Sequence, residues 1–94
     1  MGEEIAMDDL LECVLFTYAI DHMVQKDKVR FYYALKGRDG KSGMLAREGV
    51  IQLGRAVVIV PIQLSEEFEE FFRLWKIEFQ KKNILLPKVP IDNL

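Results

Sequence analysis

The segment LSEEFEEFFRLWKIEF (64–79) constrains this chain more than any other. Leu64, Phe68, Phe72, Trp75 and Phe79 recur at spacings of four and three, which places them on one face of a helix. Ser65 is a candidate N-cap. Glu66, Glu67, Glu69 and Glu70 fall where a helix dipole favours negative charge, and Lys81 and Lys82 fall where it favours positive charge. The pattern predicts a carboxy-terminal helix from Ser65 to about Lys82. Phe71, Leu74 and Ile77 widen its apolar stripe beyond what a small sheet would cover. An isolated helix cannot bury such a stripe, so the rest of the chain must supply a facing layer.

That layer is expected from the middle of the chain. Ala56 to Ile62 reads AVVIVPI, a short apolar run rich in β-branched residues, and Val50 to Leu53 precedes it. Glu48-Gly49 and Gly54-Arg55 mark turns or bulges that separate these strands. Upstream, Val29, Phe31, Tyr33 and Leu35 alternate with Arg30, Tyr32, Ala34 and Lys36, the pattern of a half-buried strand. Asp39-Gly40 then suits the tip of a hairpin returning through Met44 and Ala46. A short helix across 43–53 competes for the last segment, at a cost of about 1 kcal/mol for Gly49 in its interior. At the amino end, Asp8-Asp9 precede Leu10, Leu11, Val14, Leu15, Tyr18, Ala19 and Met23 at helical spacing, which predicts a helix over 8–25. The alternative is a strand through Val14–Tyr18, a β-prone stretch, pairing with 29–36. The fold class expected is therefore α+β: an antiparallel β-meander of three or four strands packed against an amino-terminal and a carboxy-terminal helix, in one domain over 1–94.

The same hairpin contains GRDGKS (37–42), which ends like a phosphate-binding loop. A P-loop needs G-x-x-x-x-G-K-[ST], so that successive amides can wrap a phosphate. Counting back from Gly40, the first glycine should stand at 35, which is Leu35; Gly37 comes two positions late. The strand AVVIVPI also ends without the acidic metal ligand such enzymes use. The match is therefore set aside, and no cofactor-binding pattern is found elsewhere.

Half of the 94 residues are apolar and the formal net charge is −2, a composition for a globular core rather than disorder. The apolar runs 10–20 and 56–62 fall short of the roughly 18 residues needed to span a bilayer, so no membrane association is expected. The acidic start MGEEIAMDD argues against a secretory signal, and Ala6 breaks the myristoylation pattern. One cysteine, Cys13, rules out an internal disulfide and suits a reducing cytoplasm. Scarce Ser, Thr, Asn and Gln beside abundant Lys, Glu, Ile and Val resemble the bias of proteins from hot environments.

Catalytic groups are sparse. Cys13 and His22 are the only cysteine and histidine, and nine residues apart on a helix they point in opposite directions. The acidic residues Glu3, Glu4, Asp8, Asp9 and Asp21 lack metal-ligand spacing, and the Glu66–Glu70 cluster is accounted for by the helix dipole. The expectation is a non-catalytic cytoplasmic interaction module, homo-oligomeric through Phe71, Leu74, Ile77, Leu85 and Leu86, with an apolar extended tail over 84–94 and room for an unidentified protein partner. The competing reading comes from charge. Residues 1–24 carry six acids and no Lys or Arg, whereas 25–55 carry eight bases against three acids. In the hairpin register Arg30, Tyr32, Lys36, Lys41 and Arg47 share a face on which a single-stranded nucleic acid could be neutralised and stacked.

Overall fold

A computed structural model describes residues 10–37 and 42–87. Four strands and two helices follow one another as β1 (Leu10–Tyr18), α1 (Gln25–Lys36), β2 (Ile51–Gly54), β3 (Val57–Pro61), α2 (Ser65–Leu74) and β4 (Phe79–Pro87), with short 3₁₀ turns at Met44–Ala46 and Ile62–Leu64. The sheet order is β2-β3-β1-β4 and every neighbouring pair is antiparallel. The fold is α+β, but not a meander flanked by terminal helices. Both helices are internal, and each connects two strands separated in the sheet by a third, the interleaved β-α-β-β-α-β connectivity called ferredoxin-like.

The predicted amino-terminal helix is a strand. Leu10, Leu11, Val14, Leu15 and Tyr18 fit helical spacing only because nearly every position in the segment is apolar, and such a run satisfies either period. The β-prone Val14–Tyr18 stretch decides the matter by pairing with Asn83–Phe79 on one side and Val60–Val57 on the other. Its partner is therefore not 29–36, which forms α1. There Phe31 and Leu35, shared by the two-residue and four-residue patterns, are wholly buried, while Val29 and Tyr33 stand half exposed. Gly37 ends this helix at φ 81°, its N–H donating to the Tyr33 carbonyl at 2.7 Å. The expected 29–47 hairpin is thus absent. Its tip, Asp39-Gly40, lies outside the described residues.

The carboxy-terminal helix is real but ends at Leu74. Lys76 takes φ 57°, its N–H donates to Arg73 O and that of Ile77 donates to Phe72 O. This pair of bonds is a Schellman stop, sealed by packing of Ile77 and Phe72 in the same core. Lys81 and Lys82 consequently lie in β4 rather than at a helix end, and residues 79–87 of the expected helix end and tail form a nine-residue edge strand. Ser65 begins α2 without a side-chain cap bond; Leu64 holds the N-cap position. The β2–β3 hairpin, with a register shift between Gln52 and Gly54, matches the turns expected at Glu48-Gly49 and Gly54-Arg55.

The core lies between the helices and one face of the sheet. Phe16, Phe31, Phe68 and Phe72 are its largest fully buried side chains, together with Leu35, Val58 and Val60. Phe16 packs edge-on against Phe72 at 5.5 Å and Phe79 at 5.7 Å, and Tyr18 lies 4.8 Å from Phe72.

Candidate functional site

Strand alternation sends Val14, Phe16 and Tyr18 of β1 and Val58 and Val60 of β3 toward the helices. The intervening residues face the other way, where no helix packs among the described residues. The registers align them in rows. Ile51, Ile59, Leu15 and Lys82 form one row; Pro61, Cys13 and Ile84 form the next; Leu11 pairs with Leu86 beyond it. Toward the opposite end the row is Val57, Thr17 and Gln80. The open face is therefore aliphatic at its centre, with Thr17, Gln80 and Lys82 on the rim. Cys13 and Ile59 are buried, while Leu11 and Ile51 remain 47% and 45% exposed.

β1 and β3 do not read as strands with one wet side. CVLF and AVVIVPI are continuous apolar runs, the signature of strands covered on both faces. Among the described residues, helices cover one. The signal lay in the sequence, but its meaning depended on knowing which face the helices occupy.

The interface residues expected from sequence do not form one surface. Ile77 is buried in the core and Phe71 packs against it, so both belong to the interior side. Leu74 is 77% exposed at the end of α2. Leu85 and Leu86 are consecutive in β4 and point to opposite faces; only Leu86 joins the open face, opposite Leu11. Leu11, Cys13, Leu15, Ile51, Ile59 and Ile84 are the members that the sequence reading missed.

The expected basic face is also dispersed. Arg30, Tyr32 and Lys36 lie on α1, where Lys36 Nζ sits 5.4 Å above the Tyr32 ring. Arg47 is bound by Glu67 through both guanidinium nitrogens, the second at 3.2 Å from Oε1. Lys41 lies outside the described residues. The described open face carries no aromatic ring, whereas sheets that bind single strands stack bases on aromatics there; Phe16, Tyr18 and Phe79 all serve the core.

The titratable groups are tied down structurally. Burial pushes the Cys13 thiol up, leaving it protonated and a poor nucleophile at neutral pH. Burial, with a smaller contribution from Tyr32, pushes the Tyr18 phenol up to about 12, and its hydroxyl lies 3.2 Å from the Arg55 carbonyl oxygen, to which it donates. Glu69, 9% exposed, accepts from Lys81 of β4 at 2.6 Å and from Arg73 at 2.9 Å; the Lys81 bond, foremost, holds its carboxyl below the ordinary range. This clamp joins α2 to β4. Among the described residues no three His, Cys, Asp or Glu side chains cluster as metal ligands, and no helix is long and apolar enough to cross a membrane. His22 lies in the turn beyond β1, with the five-residue rise from Cys13 to Tyr18, about 17 Å, already intervening.

No protein-family model matches the chain, and no curated protein or solved structure is significantly similar to it.

Proposed function

We propose that this protein is a self-associating interaction module whose contact surface is the open face of its sheet, and that it works by assembly rather than catalysis. The observation that carries this reading is the aliphatic sheet face on which, among the described residues, no helix packs. An aliphatic sheet surface with no charge at its centre suits a second copy of itself, because two such faces pack about 10 Å apart without needing a complementary charge pattern. Depletion of charge at the centre with a polar rim is also how protein interfaces are built. In plan the four strands offer on the order of 400 Å², against about 800 Å² per partner for a stable interface, and relief adds to the plan value. Association in the micromolar range fits such a surface.

Leu15 sits in the row between Ile59 and Lys82. The wild-type chain should sediment as a species heavier than its 10.9 kDa monomer at micromolar concentration, and Leu15→Lys should sediment as a monomer with an unchanged far-ultraviolet circular dichroism spectrum. A wild-type chain that stays monomeric up to about 100 μM sinks the proposal.

A further inference from the structure

β1 and β4 outrun β3. The last β1–β3 pair is Cys13 with Pro61, while β1–β4 pairing continues through Glu12 with Leu85, Leu11 with Leu86 and Leu10 with Pro87. At Pro61 the chain turns out of the sheet into the Ile62–Leu64 turn and α2. Leu10–Glu12 therefore have a strand partner on the β4 side and, among the described residues, none on the other. Among the described residues, three residues of strand edge are thus unpaired in the middle of the sheet's width, not at its margin.

Beside that edge, where β3 would have continued, lies a groove of about 750 Å³. Its far wall is the loop through Arg47, Glu48, Gly49 and Val50. The wall is held in place from two directions. Gly49 at φ 88° lies against Pro61 so closely that a β-carbon would come within 2.7 Å of the proline ring, and Arg47 is bound by Glu67 of α2. Leu11, Val50, Ile51, Pro61, Leu64 and Leu86 make the lining mostly apolar. Its charged groups are Glu12, Glu48 and Arg47; with Arg47 occupied by Glu67, the charge left to an occupant is that of two carboxylates, neither ion-paired among the described residues.

We propose that this groove takes an extended peptide strand, which pairs with the open edge of Leu10–Glu12, seats an apolar side chain in the groove and sets flanking Lys or Arg against Glu12 and Glu48. Main-chain pairing supplies affinity in strand addition, and alternate side chains supply selection. In an extended segment an apolar residue directed inward leaves its neighbours directed outward, the arrangement that brings basic side chains to the acidic rim. This goes beyond self-association, because it adds main-chain pairing at a strand edge and needs no second copy, although the groove shares Leu11, Ile51, Pro61 and Leu86 with the sheet face.

The test is an amide-shift titration of the full chain with a blocked pentapeptide, Thr-Lys-Ile-Lys-Thr, whose central Ile has a lysine on either side. Two twins accompany it, one with Glu for both lysines and one N-methylated at the Ile amide and the next, so that one methyl meets the edge in either register. The parent peptide should cause saturable shifts concentrated at residues 10–13 and 47–51, with a dissociation constant of about 1 mM or tighter. Roughly two- to fivefold weaker binding is expected for Glu48→Gln, the range for one exposed charge contact. The acidic and N-methylated twins should each bind more weakly still. No saturable shift up to about 5 mM, undiminished binding of the N-methylated twin, or shifts centred on Leu15 and Ile59 would each overturn the proposal. If the protein proves monomeric the titration reads equally well, so the two proposals fail separately.

Discussion

The two faces of this sheet are built from the same strands and differ in what they were given to touch. The helix-side face uses aromatics: Phe16 and Tyr18 of β1 and Phe79 of β4 interlock with Phe68, Phe72 and Phe31. Rings fill the uneven space between curved helices and a sheet, and their edge-to-face contacts add to area burial. The open face uses aliphatics in level rows, with no ring and no central charge. A surface of the first kind is shaped to one partner layer, already present. One of the second kind is shaped to a flat partner, and self-association is the proposal that supplies it. Having a hydrophobic face therefore does not make the two sides equivalent: one is filled with aromatic rings against the helices, and the other is aliphatic without them.

The strongest way to break this comparison is Phe72→Ala. Phe72 is wholly buried and contacts Phe16, Tyr18, Phe68, Phe71 and Phe79, so its loss should cost about 3–5 kcal/mol in denaturant unfolding. A cost below about 1 kcal/mol would mean that the helix-side face is not the core. The Glu69 clamp gives a smaller, pH-dependent effect. Its carboxyl is held below the ordinary value of 4.5 in the folded chain, so its contribution is present above that value and is lost as pH falls through the lower folded one. Thermal midpoints of Glu69→Gln and wild type should therefore differ at pH 7, with the variant lower, and converge in acid; a gap that persists at pH values where the carboxylate is protonated would assign the loss to packing. The smallest effect is expected on the polar rim. Thr17→Lys, exposed beside Gln80, should change stability by no more than about 0.5 kcal/mol and leave sedimentation unaltered. A Thr17→Lys chain as dissociated as Leu15→Lys would extend the contact surface past the aliphatic rows.

Several elements could be read from the chain directly. The start of α2, strands β2 and β3 and the turns between them follow from local signals: acidic residues before an aromatic stripe, a β-branched run, and Gly49 and Gly54 as punctuation. Others could not. Phe31 and Leu35 belong to both a strand and a helix pattern, and Gly37 serves a hairpin flank as readily as a helix stop. Nothing local marks Lys76 as the end of α2, because a left-handed stop is usually a glycine, and here it is tertiary packing of Ile77 against Phe72 that holds a lysine in that conformation. Leu85 and Leu86 are adjacent in the chain, and a strand sends adjacent side chains apart.

By itself the amino-acid sequence determined the amounts: enough apolar surface for a core and some to spare, short runs that must be elements rather than membrane spans, and one aromatic helix needing a sheet. Only the tertiary structure decided the arrangement, because β1 has two apolar faces and its period cannot say which one meets the helices. Pairing β1 between β3 and β4 settles that choice for every strand together, since neighbouring residues in register share a face. The rows of aliphatic side chains left outside are a consequence of that pairing, which no single segment encodes.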